Sequence, residues 1–186
     1  MLKEINSLKI NFFFPIIPII RNQMQWNNKY IYPKSTRSIF QGSRHYSVNQ
    51  ENLPSVTTIL KATESEEKKA KLEEWKKRVG YKQAEVISRE ATSRGSSMHD
   101  YLEKFLLGKL NMDLLGDNTR EKMMADQIIE NGLRDKLSEI WGCEATLYYP
   151  GKYAGAADCI GIYENKETII DFKQSNKPKK DEWIDD

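Results

Sequence analysis

The chain has 186 residues, 39% hydrophobic and 30% charged, with a net charge of +2. That length supports one domain with a real core, and so weak a charge permits a nucleic-acid partner without requiring one. Its two cysteines, Cys143 and Cys159, exclude a disulfide framework, a zinc knuckle and an iron–sulfur cluster held by cysteine alone.

The apolar run Phe12-Phe13-Phe14-Pro15-Ile16-Ile17-Pro18-Ile19-Ile20 is nine residues long and carries two prolines, so it cannot span a bilayer. Glu4 and the lack of a small-residue cleavage site argue against a signal peptide, and the early acid also argues against a mitochondrial presequence. Arg21, Arg37 and Arg44 keep the second possibility open. The expectation is a soluble intracellular protein with no membrane partner.

Residues 1–52 read as an irregular N-terminal extension with one short strand. Arg44-His45-Tyr46 reads as a surface turn, or alternatively as a cation with stacking surfaces for nucleic acid. Ser55, after Pro54, is a candidate N-cap for a first helix. A second helix is predicted over 65–78, with Leu72, Trp75 and Val79 on one face and Gly80 as its stop. Its lysines alternate with glutamates, as on a solvated face. A third helix is predicted over 82–93 and a fourth over 98–106, with Arg94-Gly95-Ser96-Ser97 between them and Gly108 at the end. A fifth starts near Asp117 or Asn118 and carries Met124, Ile128, Leu133, Leu137 and Ile140.

Beyond it the pattern turns to short β-rich runs at 144–149, 157–163 and 168–173, with turns at Pro150-Gly151 and Glu164-Asn165-Lys166. Such short connections predict an antiparallel meander. The fold class is α+β, helices followed by a short, mainly antiparallel sheet.

Asp171 and Lys173 stand two apart at the end of the last run, so on a strand both leave one face. Asp158 precedes Asp171 with twelve residues between, a hairpin-like distance. Small residues lead into it, Tyr153-Ala154-Gly155-Ala156-Ala157, which allows close approach of a backbone or ligand. Two carboxylates and a lysine converging at a sheet edge can hold a hard divalent cation beside an activated water. His99 follows Gly95 on a helix, and Glu103 is one turn further, where it can orient the imidazole or simply face solvent. With two histidines and no H-E-x-x-H pattern, a zinc hydrolase is disfavoured.

Jointly, Pro54-Ser55-Val56-Thr57-Thr58-Ile59-Leu60, Arg94-Gly95-x-x-x-His99, Asp158 and Asp171-Phe172-Lys173 resemble the RecB-like branch of the PD-(D/E)XK nucleases. The nearest group is the mitochondrial genome maintenance exonucleases with their phage and bacterial relatives. The resemblance covers residue 53 onward and implies a restriction-endonuclease-like core over 53–186. It implies a metal-dependent exonuclease acting on DNA, single-stranded ends in particular, in a bacterial cytoplasm or phage-infected host, with a mitochondrial setting still open. His99, Asp158 and Asp171, with the Phe172 carbonyl, would bind Mg²⁺ or Mn²⁺. Lys173 would orient the attacking water and stabilise charge on the phosphate, as an electrostatic group rather than a general base. Glu144 stands where the family often carries an acid, though a solvent-facing strand residue is an equal reading. Family members continue into a helix bearing a Gln-x-x-x-Tyr motif, whereas this sequence ends at Trp183-Ile184-Asp185-Asp186, so a C-terminally incomplete nuclease domain is expected. The alternative is a catalytically silent nucleic-acid-binding or interaction protein.

Overall fold

The computed structural model describes residues 24–109 and 119–175. Among them, four strands precede the helices: β1 (Gln25–Trp26), β2 (Ser35–Phe40), β3 (Ser43–Val48) and β4 (Glu51–Pro54). Then come α1 (Val56–Ala62), α2 (Glu66–Val79), α3 (Tyr81–Leu106) and α4 (Arg120–Ile128), which runs into a π-helical turn, Ile129–Leu133. Three strands close the described chain: β5 (Leu137–Tyr149), β6 (Tyr153–Tyr163) and β7 (Lys166–Ile170).

The fold is mixed α+β with two sheets. The larger has the order β1-β5-β6-β7, with β5, β6 and β7 forming the expected antiparallel meander and β1 pairing parallel to β5. The smaller is an antiparallel β2-β3-β4 meander. Residues 35–54 therefore form a regular three-stranded sheet rather than an irregular extension, and Arg44-His45-Tyr46 lies inside β3 rather than in a turn. Helices do not simply precede a sheet, because β2 to β4 come before them.

Helix starts follow capping chemistry. Ser55 caps α1 by accepting from the Thr58 N–H at 3.0 Å, Ser65 caps α2 through Lys68 N–H at 3.3 Å, and Thr119 caps α4 through Lys122 N–H at 3.3 Å. Gly80 ends α2 at φ 87°, a conformation other residues resist. On α2 the pairs Lys69–Glu66, Lys71–Glu67 and Lys76–Glu73 form a solvated charged face.

Two helix expectations are corrected. The helices predicted over 82–93 and 98–106 are one continuous α3, since Gly95 costs about 1 kcal/mol within a helix and tertiary packing outweighs that. The helix expected to carry Leu137 and Ile140 ends at Leu133, and both residues face the core from β5. Two register shifts early in β5 break its alternation, which is why their spacing mimics a helix. Asp117, Asn118 and the segment 183–186 lie outside the described residues, as does the apolar run at 12–20. No helix among the described residues is long and apolar enough to cross a membrane.

The main core lies between the large sheet and the helices. Met98, Leu102 and Leu106 of α3 pack with Ala125, Ile129 and Leu133, and against Leu137, Ile140, Cys159 and Phe172. The opposite sheet face buries Trp141, Ala145, Ala157 and Ile160 under Tyr32. Tyr46, Val48 and Leu53 pack on Ala154, joining the small sheet to β6. Burial pushes both cysteine thiols up to about 12, consistent with small core residues.

Candidate active site

The two sheets and α3 enclose a cleft of about 1000 Å³. Small residues make its floor possible. A side chain at Gly155 would come within 3.3 Å of Val56 at the start of α1, and Ser55 bridges to Ala154 in parallel register. The buried Ser55 hydroxyl contacts Thr57 and Thr58 at 2.8 and 2.9 Å, and the Ser55 N–H donates to the Arg44 carbonyl at 2.9 Å. The run from Pro54 to Leu60 thus pins the small sheet to the large one.

His99 on α3 reaches across this cleft to β6. Its Nδ1 lies 3.4 Å from Asp158 Oδ1, while Asp158 Oδ2 accepts the Phe172 N–H at 2.7 Å. Burial opposes ionisation of Asp158, but the His99 and Phe172 hydrogen bonds hold its carboxyl below the usual range. The Asp158 hydrogen bond raises the His99 imidazole, against the opposing effect of burial, and contact with the Phe172 backbone adds to the rise. Phe172 itself is buried, and its ring meets His99 edge-on at 6.3 Å.

Glu144 completes the group. Its φ is 48°, a left-handed backbone in mid-strand. Cys143 and Ala145, which flank it, consequently pack on opposite faces of the sheet, and so do their partners Cys159 and Ala157. Both strands turn over at this point, and Glu144 and Asp158 emerge into one cleft. Burial raises the Glu144 carboxyl, Arg37 opposes that rise, and Asp158 and Glu103 add to it. Among the described residues, His99, Glu144 and Asp158 each offer one ligand atom, all within 4.8 Å of one another. An ion with bonds of about 2.1 Å allows ligands to stand at most about 4.2 Å apart. The trio therefore fits such an ion after a small inward movement, and its donors, two carboxylates and an imidazole, suit Mg²⁺ or Mn²⁺.

Asp171 is outside this trio. It lies just beyond β7, on the rim of the same cleft, with its exposed carboxylate paired to Lys173 Nζ at 2.7 Å. The turn of chain that carries them is tied down twice, by the Phe172 N–H and by Gln174, whose side-chain amide donates to the Ala91 carbonyl of α3. Gly95 leaves room for that amide, since a Cβ there would approach Gln174 Nε2 to 3.2 Å. Glu103 lines the cleft and acts on Glu144, whereas the imidazole takes Asp158 as its partner.

Sequence reasoning missed Arg37 as a cleft residue and offered Arg44 only as the alternative to a surface turn; both line the cleft, from β2 and β3. Arg37 Nη2 lies 3.6 Å from Glu144 Oε2. The available signal was two β-prone runs around Gln41-Gly42, a two-residue turn with positive φ at both positions.

No family model matches the chain. Among curated proteins it is 31% identical over 137 residues to "Mitochondrial genome maintenance exonuclease 1" of Mus musculus, covering 71% of this chain and 40% of that protein. The protein of that name from Homo sapiens is 29% identical over 132 residues, 68% of this chain and 38% of its own length. The Xenopus tropicalis one is 31% identical over 135 residues, with 68% and 37% covered. The chain spans about two fifths of the length of these relatives, and across that span it resembles the mitochondrial genome maintenance exonuclease.

Proposed function

We propose that this chain is a divalent-metal-dependent exonuclease of the RecB-like PD-(D/E)XK kind, hydrolysing DNA from single-stranded ends. The observation that carries this reading is the convergence of His99, Glu144 and Asp158 in one cleft with Lys173 and two arginines around it. The relatives' names, with "genome maintenance" and "exonuclease" in them, support DNA as the substrate.

In this reading His99, Asp158 and Glu144 hold Mg²⁺ or Mn²⁺, with Asp171 and the Phe172 carbonyl as further donors at the rim. A divalent cation there supplies a water of lowered pKa and neutralises charge on the scissile phosphate. The His99 and Phe172 hydrogen bonds hold the Asp158 carboxyl low against burial, which favours the charged form a cation would take as a ligand. Burial beside a second acid raises the Glu144 carboxyl, and a cation held there would oppose that rise. Lys173 is held by Asp171 in the opening of the cleft, where its ammonium donates to a phosphate oxygen and stabilises developing charge. Arg37 and Arg44 bind the flanking phosphates, contacts indifferent to base sequence.

End-labelled single strands and duplexes, incubated with Mg²⁺ or Mn²⁺ and with chelator, test the reading. Metal-dependent release of terminal nucleotides from single strands, lost in Asp158→Asn, is expected. Binding without any metal-dependent cleavage by the parent chain would overturn it in favour of a silent nucleic-acid-binding protein.

A further inference from the structure

Tyr149 and Tyr153 flank the tip of the β5–β6 hairpin as directly paired residues. Their rings lie 6.0 Å apart, tilted by 34°, and are 54% and 40% exposed. Both line the cleft that holds His99 and Asp158. We propose that these two tyrosines are a stacking platform for the bases of an unpaired nucleic-acid strand entering the cleft. The direction of entry rests on the nuclease reading above; the platform itself rests on the hairpin.

A cross-strand aromatic pair can simply stiffen a hairpin. Here the tip is already fastened by other means. The Gly151 N–H donates to the Glu51 carboxylate at 2.6 Å, and Asn49 Nδ2 donates to the Tyr148 hydroxyl at 2.7 Å. The rings are thus presented on a preorganised support, which lowers the ordering cost of a ligand. A cation stands beside them, with Lys152 Nζ 5.4 Å from the Tyr149 ring centre. Arg44 lines the same cleft, and its guanidinium has no ion-pair partner among the described residues. Exposed rings interleaved with cations are what a single strand requires, because every base offers a π-face and every linkage a charge. A duplex offers neither free face to the rings, since its bases are stacked on one another.

The spacing makes the inference quantitative. Tyr149 is five residues from Glu144, and Tyr153 is five from Asp158. At ~3.3 Å per strand residue the platform lies about 17 Å from the acids, or about five nucleotides at the ~3.4 Å rise of stacked bases.

The test is fluorescence anisotropy with labelled oligothymidylates of three, six and twelve nucleotides and a twelve-base-pair duplex, in chelator so that nothing is cut. For the parent chain, affinity rises steeply from three to six nucleotides and little beyond, and the duplex binds more weakly. Tyr149→Ala/Tyr153→Ala weakens binding of the six- and twelve-mers roughly 10- to 100-fold. Tyr149→Phe/Tyr153→Phe retains it, and Tyr149→Leu/Tyr153→Leu, which keeps bulk without a π-face, loses it. Circular dichroism melts establish that each variant folds. Twelve-mer binding by the Ala or Leu pair within twofold of the parent overturns the platform, as does a Phe pair as weak as the Ala pair. Platform behaviour without Mg²⁺-dependent cleavage would sink the nuclease reading alone, and cleavage with unaltered binding by the Ala pair would sink the platform alone.

Discussion

At Glu144 the backbone and the side chain pull against each other. A left-handed conformation costs a residue with a Cβ on the order of 1 kcal/mol, and a half-buried acid beside Asp158 adds desolvation and repulsion. The Arg37 guanidinium offsets part of this, and in the proposed reading a bound cation would offset the rest. Glu144→Gly is therefore expected to melt no lower than the parent, although glycine usually weakens a strand, while Mn²⁺ affinity by calorimetry falls at least tenfold. A melt several degrees lower would show that the carboxylate serves the fold. Lys173→Ala is expected to leave Mn²⁺ affinity within about threefold and to reduce cleavage at least a hundredfold, because in the proposed reading the ammonium would neighbour the phosphate and not the cation. Residual cleavage of more than a few percent of the parent removes that role. His99→Ala removes a neutral ligand that water can replace, so its loss of metal affinity is expected to be smaller than that of Asp158→Asn. Equal losses would assign His99 more than a ligand's part.

The contact between α3 and the segment after β7 shows how elements set the site. Gln174 reaches the Ala91 carbonyl over Gly95, where a Cβ would crowd its amide at 3.2 Å. Gly95→Ala improves helix propensity by about 1 kcal/mol yet pushes on this amide. The expected result is a cleavage rate reduced several-fold with little change in melting temperature, and Gln174→Ala is expected to mimic it. A Gly95→Ala variant as fast as the parent would disconnect that helix glycine from the positioning of Lys173. Elements with local punctuation were legible in the sequence: Ser55, Ser65 and Gly80 mark helix ends through capping and positive φ, and the turns at Pro150-Gly151 and Glu164-Asn165-Lys166 mark the meander. What escaped were features decided at a distance. The continuity of α3 depends on packing that overrides Gly95. The start of β5 is disguised by two register shifts that give Leu137 and Ile140 a helix-like spacing. The small sheet is joined by turns at Gln41-Gly42 and Asn49-Gln50, which lack the Asn-Gly signature. Of the site, His99, Asp158, Asp171 and Lys173 were found by motif and do share one cleft. The convergence of Glu144 with His99 and Asp158 depends on a mid-strand change of backbone hand that no residue pattern announces.

For the whole molecule, cation and polyanion each carry a thermodynamic signature. A ligand that binds only the folded state at a hundred times its Kd adds about 2.7 kcal/mol, roughly 5–10 °C for a chain of this size. Saturating Mn²⁺ is expected to raise the melting temperature by that order in the parent and hardly at all in Asp158→Asn. An equal rise in both would place the ion elsewhere. The cleft's wall is also a statement about order of assembly. Glu51 meets Gly151, Asn49 meets Tyr148 and Ser55 meets Ala154, so each tie closes a loop of about a hundred residues. Such distant pairings form late, after local helices and hairpins. On a chain emerging from the ribosome, β2 to β4 are complete long before the strand they dock on exists. β2 to β4 therefore wait for the strand their apolar face packs on, and His99 stays without Asp158 until β6 has been made. In the proposed reading, metal affinity and any cutting that depends on it would switch on as a late event of synthesis rather than accumulate with chain length.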